Sequence, residues 1–262
     1  MIVTVDANWL VSRLDDPNIV IIDGRGIMPY RFGHIKNAVP LGVDHVISIA
    51  DNGANLAIDA QIAEKIFTKL DINDSKEVIA YGEYPDPSVA RIIWTLMYHG
   101  HPNVKLLDIG YSQWQKAGLP ITKQIQKTVQ QPKEAIANFV AKTNHAIRAD
   151  AQMIKVKQND PNVVIVDART PQEHIQARIP GSILHNWEEG LGDFGKMLED
   201  QDKLQSKFEN KGITKDKEVI CYCHSGMRAS HTYLQLKYAG FDNVRMYDGS
   251  IIDWARHGYP LR

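Results

Sequence analysis

Asp16-Pro-Asn-Ile-Val-Ile-Ile-Asp23-Gly-Arg25 returns 144 residues later as Asp160-Pro-Asn-Val-Val-Ile-Val-Asp167-Ala-Arg169. Further along, Glu77-Val-Ile-Ala-Tyr81 returns as Glu218-Val-Ile-Cys-Tyr222, an offset of 141. Asn103-Val, Asp108, Trp114, Gly118 and Pro120 then return as Asn243-Val, Asp248, Trp254, Gly258 and Pro260, an offset of 140. The order is kept while the offset drifts by only four residues. Self-similarity at so long a period decides the architecture: one unit is present twice. Chance resemblance between Val/Ile runs would not carry Asp, Trp, Gly and Pro positions with it.

Each unit reads as a short helix near Trp9 or Met153, a buried strand (19–22; 163–166), a second strand and helix, and a third short strand (104–107; 244–247). Apolar runs bounded by turn residues and alternating with helices predict an α/β fold, each domain a parallel sheet flanked by helices. The boundaries follow as an N-terminal domain over 1–121, a linker over 122–144 and a C-terminal domain over 145–262. The linker is rich in Lys, Gln and Ala, has Pro132 inside it and lacks a strong apolar block. It reads as a partly helical connector that wraps one half against the other, with no chemistry of its own.

Composition bounds the rest. The 262 residues carry a formal charge of -1, and the pI is 6.8. Nothing there makes an overall basic surface for nucleic acid, so small anions or proteins are the expected partners. No stretch approaches the roughly 18 apolar residues of a membrane span, and Met1-Ile-Val-Thr-Val-Asp6 lacks the plan of a signal peptide. A cytoplasmic location is the expectation. The two cysteines, Cys221 and Cys223, are one residue apart, a spacing at which a disulfide is strained and staples nothing. Reduced thiols fit the same compartment. Paired halves already form a pseudo-dimer, and a monomer is expected.

Cys223-His-Ser-Gly-Met-Arg228 carries the chemistry. It follows the apolar run 218–222 and precedes an apparent helix over 229–239, which places a thiol in a strand-loop-helix turn. Backbone N–H groups in such a turn converge on one point, and the helix N-terminus adds partial positive charge there. The thiolate is the reactive form and is favoured in that setting, so Cys223 reads as the nucleophile. Cys221, inside the strand, reads as core. A metal site built from Cys221, Cys223 and His224 would need a second Cys/His cluster, which the chain does not have.

With these residues in view, the chain resembles the tandem-domain rhodanese family, sulfurtransferases of the thiosulfate or 3-mercaptopyruvate type. The resemblance covers essentially the whole length. It rests on Asp167-Ala-Arg169, the loop 223–228, Ala229-Ser-His231, Tyr247-Asp-Gly-Ser250 and Trp254. It implies that the C-terminal domain holds the catalytic cysteine and that the N-terminal domain is inactive. The matching first-half stretch, Tyr81-Gly-Glu-Tyr-Pro-Asp-Pro-Ser88, agrees: it has no thiol, carries two carboxylates that would repel an anionic donor, and lacks two backbone donors at Pro85 and Pro87.

The remaining site residues follow by position. Arg228, at the end of the loop, is suited to hold a bound anion with its planar donors. Gly226 permits a conformation or close approach that a side chain would block. His224, Ser225 and Met227 complete the loop, with His224 and Ser225 lining the pocket. Arg169, just past the strand end, fits either substrate contact or a structural ion pair. Arg178 is a weaker candidate, since the usual Gly-His-Ile appears as Gly33-His-Ile35 in the first half but as Ala177-Arg-Ile179 in the second. Asp248 and Trp254 read as structural, because Asp108 and Trp114 recur in the half without a thiol.

The resemblance implies a ping-pong transfer through a Cys223 persulfide, from a small anionic sulfur donor to a thiophilic acceptor such as cyanide or a thiol. No metal or organic cofactor is called for. By the same resemblance, a positively charged loop, here Arg228 and His224, implies thiosulfate as donor, and a small hydroxyl- and Gly-rich one, here Ser225-Gly226, implies 3-mercaptopyruvate as the alternative. A cysteine phosphatase or arsenate reductase would place five residues between Cys and Arg, whereas here there are four. A non-enzymatic rhodanese module is opposed by the intact second-half loop.

Overall fold

The computed structural model describes residues 4–125 and 138–262. The central part of the expected linker, including Pro132, lies outside the described residues. In the first half the order is β1 (Thr4–Val5), α1 (Ala7–Val11), β2 (Ile19–Asp23), α2 (Ile27–Phe32), β3 (His34–Ile35), β4 (Ala38–Pro40), β5 (Ile47–Ile49), β6 (Asn55–Ala57), α3 (Ala60–Lys69), β7 (Glu77–Tyr81), α4 (Ser88–Tyr98), β8 (Val104–Leu107), α5 (Tyr111–Lys116) and β9 (Ile121–Thr122). The second half runs β10 (Arg148–Ala149), α6 (Ala151–Lys157), β11 (Val163–Asp167), α7 (Pro171–Gln176), β12 (Ile183–Leu184), α8 (Gln201–Glu209), β13 (Glu218–Tyr222), α9 (Met227–Tyr238), β14 (Val244–Tyr247) and α10 (Ser250–Arg256).

Two five-stranded parallel sheets result, ordered β1-β8-β7-β2-β4 and β10-β14-β13-β11-β12. The duplication predicted from sequence is therefore repeated strand for strand. The register repeats too: Asp23 faces Tyr81 as Asp167 faces Tyr222. Val/Ile-rich runs sit at the centre of each sheet because such strands are covered on both faces. The short edge strands carry no periodicity of their own and come from pairing alone.

Each sheet has an outer and an inner apolar layer. The outer layers are separate, one closed by Trp114 and the other by Trp254. Each indole N–H donates to the carbonyl six residues on, Pro120 or Pro260, at 3.1 and 2.9 Å. The inner layers merge into one core, in which α4 packs against α9. Helix α4, Ser-Val-Ala-Arg-Ile-Ile-Trp-Thr-Leu-Met-Tyr, is apolar nearly all round and is buried accordingly. Phe139, at the end of the connector, stacks edge-on against Phe67 at 5.1 Å and belongs to that core. The β5–β6 hairpin reaches the second half, where Ala57 N–H donates to Asp248 Oδ2 at 2.8 Å and Asn52 Nδ2 to Asp253 Oδ1 at 2.6 Å.

Candidate active site

Strand β13 ends at Tyr222, and α9 begins at Met227, two residues before the helix start read from sequence. Cys223 opens the intervening turn and is 1% exposed. Its sulfur accepts the Gly226 N–H at 3.1 Å. Gly226 takes φ 92°, a left-handed conformation, and an ideal Cβ there would collide with Arg91 Nη1 and stand 2.7 Å from the Asp248 carbonyl oxygen. Both the conformation and the close approach require glycine. The Cys223 N–H donates to Ser250 Oγ at 3.0 Å, and the Ser250 hydroxyl donates to the Tyr247 carbonyl at 2.8 Å. Ser250 holds φ 54°, uncommon for a residue with a side chain. The Ile251 N–H closes the turn on the Cys223 carbonyl at 3.1 Å.

The first half repeats this frame without the sulfur. Gly82 stands where Cys223 does, and its carbonyl accepts the Tyr111 N–H at 2.9 Å, the counterpart of the Ile251 bond. The Glu83 carboxylate turns back onto Ser112 Oγ at 2.9 Å and the Tyr84 N–H at 3.0 Å.

Arg169 is 4% exposed and forks onto Asp167, with Nε–Oδ1 at 2.9 Å and Nη2–Oδ2 at 2.6 Å, while Nη2 also donates to the Ala177 carbonyl at 2.6 Å. Arg25 does the same with Asp23 and the Gly33 carbonyl, at 2.9, 2.6 and 2.7 Å. Of the two roles open for Arg169, the geometry is that of the ion pair, because it recurs in the half that has no thiol. Burial pushes Asp167 up, but Arg169, His174 and Tyr222 outweigh it and hold the carboxyl below its ordinary range.

Arg228 differs from its expected placement. Its Nη1 and Nη2 fork onto Glu173 at 2.6 and 2.8 Å, so the donors suited to an anion are occupied. That pairing is the main reason Glu173 is lowered to about 2. The sequence did not single out Glu173, although Thr170-Pro-Gln-Glu173 spells the capping box that fixes it at the start of α7. Arg178 donates from Nη1 to the His174 carbonyl at 3.2 Å, and its backbone pairs with Arg262. His224 is exposed, while Ser225 and Met227 are half-buried.

Cys221 is wholly buried, its sulfur 3.4 Å from the Ala229 carbonyl and 3.3 Å from that of Arg245. Burial pushes its thiol far up, and the neighbouring Cys223 adds to this. It stays neutral and inert. No group of side chains with metal-ligand character occurs among the described residues.

Two residues missed from sequence complete the surroundings. Arg91 comes from α4 of the first half, is 0% exposed, and lies 3.8 Å from Asp248 Oδ2. Arg148 Nε binds Asp248 Oδ1 at 2.9 Å. Asp248 thus ties both halves to the turn, unlike Asp108, which burial pushes up and which faces Lys196 at 3.7 Å. The available signal for Arg91 was a single charge in an otherwise apolar helix.

Comparisons with known proteins agree with this frame. The rhodanese-like domain model matches residues 6–117 and again 150–257. "Sulfur carrier protein TtuD" of Thermus thermophilus is 27% identical over 278 residues, spanning 99% of this chain and 96% of its own. "Putative thiosulfate sulfurtransferase" of Mycolicibacterium smegmatis is 30% identical over 268 residues, 98% of this chain and 94% of its own. Among solved structures, YnjE superposes with a TM-score of 0.84 at 20% identity, covering 98% of this chain and 67% of that one. The anaerobic ergothioneine biosynthesis enzyme of Chlorobium limicola gives 0.83 at 20%, covering 96% and 68%, and both likenesses speak to the fold alone. With both halves matched and relatives of that kind along nearly its full length, the chain belongs to the rhodanese-like domain family as a tandem-domain sulfurtransferase.

Proposed function

We propose that the protein moves a sulfane sulfur from thiosulfate to cyanide or a cellular thiol through a persulfide on Cys223. The observation that carries the reading is the Cys223 sulfur, seated in the β13–α9 turn with the Gly226 N–H on it. The Cys223 thiolate attacks the outer sulfur of thiosulfate. A new S–S bond forms, the donor's own S–S bond breaks, and sulfite leaves with the electron pair. The acceptor's lone pair then takes the terminal sulfur, and the thiolate is regenerated with no net redox change. The turn amide and the start of α9 stabilise the negative charge at each stage. The first half, with Gly82 in place of the thiol, carries no second catalyst.

A relative named as a thiosulfate sulfurtransferase supports thiosulfate as donor. 3-Mercaptopyruvate is the second reading, favoured by one observation: Arg228 is engaged by Glu173, which leaves the loop with Ser225 and Gly226 in place of a free positive charge. The name of the Thermus relative, a sulfur carrier protein, supports sulfur being held on the chain. The test is thiocyanate formation from cyanide with each donor in turn, for wild type and Cys223→Ala. Activity abolished in the variant supports the reading, and the ratio between donors assigns the subclass. A folded wild type that is inactive with both donors overturns it.

A further inference from the structure

Arg91 is an expensive residue to place where it stands. Its neighbours from Val89 to Leu96 are all buried and, apart from Thr95, apolar. A buried charge is tolerated only when it is paired and hydrogen-bonded. Here the pairing is incomplete. Nη2 donates to the Asn55 carbonyl at 3.2 Å, while Nε and Nη1 have no hydrogen-bond partner among the described residues. Asp248 cannot balance Arg91 alone, because Arg148 holds its other oxygen. Two guanidiniums against one carboxylate leave one positive charge.

The other groups around the turn are already balanced. Arg228 is paired with Glu173, and Arg169 with Asp167. Asp253, on α10, takes the Tyr247 hydroxyl and the Asn52 amide and lies 3.5 Å from His257. Cys221 is neutral, and His224 is in solvent. The missing partner is an anion. Arg91 Nη1 lies against Gly226, close enough to clash with any Cβ there, and Gly226 is the residue whose N–H bonds the Cys223 sulfur.

Building on the sulfurtransferase reading, we propose that Arg91, supplied by the half without a thiol, is the charge partner of the reacting sulfur. Its Nη1–H, beside Gly226, serves the negative charge of the Cys223 thiolate and, after transfer, of the terminal persulfide sulfur. Burial pulls Arg91 below its ordinary value, Asp248 and then Cys223 hold it up, and Arg148 opposes them. It remains a cation throughout, as arginine does. The first half is on this view part of the active site.

The test is the rate of Cys223 alkylation by iodoacetamide against pH in the full chain, with Cys223→Ala as blank. Arg91→Met keeps a similar volume without a buried charge and leaves Asp248 paired with Arg148. It is expected to slow alkylation at pH 7 by roughly tenfold and to move the profile upward by about one unit. Asp248→Asn gives an independent reading of opposite sign, since it removes the competing carboxylate: alkylation at pH 7 speeds up and the profile moves down. Profiles that superimpose on wild type, in variants whose circular dichroism is native, overturn the proposal. Alkylation needs no sulfur donor. A shifted profile in a protein that turns over no donor therefore rejects the sulfurtransferase reading and keeps the charge pair, whereas normal wild-type turnover with unshifted profiles rejects the charge pair alone.

Discussion

A guanidinium near a thiol matters electrically only if its charge is not already cancelled, and three arginines here illustrate the point. Arg169 is tied to Asp167 and Arg228 to Glu173, each through two nitrogens, so each shares its charge with a carboxylate, although Arg228 still lies near enough to Cys223 to be held up by it after Glu173. Of the three, only Arg91 keeps buried donors without hydrogen-bond partners among the described residues. The Arg228–Glu173 pair has a pH signature of its own. Glu173 sits at 4.5 in an unstructured chain and at about 2 when folded. Its folded value is depressed, so its contribution is whole above pH 4.5 and is lost as pH falls through 2. With Glu173 about one-third exposed, solvent screening limits the pair to about 1 kcal/mol. Glu173→Gln is expected to lower stability by that amount from pH 8 to 5 in urea unfolding, with the gap to wild type closing steadily below pH 4.5. A gap that does not change with pH would show that the carboxylate charge is not what holds Arg228.

At the level of elements, the residues that made strands readable were the long apolar ones. The runs 19–22 and 163–166 each gain only their terminal Asp in the structure, and 104–107 and 244–247 are unchanged. Two-residue strands such as β1 and β10 could not be seen, since a pair of residues has no period. The β5–β6 hairpin was hidden by its polar turn, and with it the hold of the first half on Asp248. Cys223 and Gly226 were legible because their neighbours in the chain define the turn. Arg91 was not, because the carboxylate it faces, Asp248, comes from the other half. Helix α9 was visible, but not its buried polar seam: Gln235 Nε2 donates to the Trp187 carbonyl at 2.7 Å and contacts His231 Nδ1 at 2.8 Å, while its Oε1 meets His185 Nε2 at 3.2 Å. Burial lowers both histidines to about 4. They stay neutral when folded but take up protons near 6.5 when unfolded, so stability rises with pH between 4 and 6.5 and is level above. Denaturant midpoints are expected to fall over that window on acidification. His231→Leu should flatten the fall, and an unchanged slope in this variant would move the effect away from α9.

Over the whole molecule, the outer layers of the two sheets are independent while the inner ones are a single body. Helix α4 has no polar face to turn to water, and α9 buries eight consecutive residues from Ala229 to Leu236. Parting the halves would expose both helices and leave Arg91 without Asp248, a cost that opposes separate folding of either half. The duplicated fold is therefore expected to unfold as one cooperative unit, although the chain reads as two. Amide exchange gives a sharp test. Strands β2 and β11 are interior to different sheets and share no hydrogen bond. If the inner core couples them, Ile92→Ala in α4, a cavity costing about 2–5 kcal/mol, lowers the opening free energy of β11 as much as that of β2. Protection lost in β2 alone, with β11 at its wild-type value, would instead show two folding units joined at a yielding interface, and the contribution of Arg91 to the turn would then depend on how often that interface is closed.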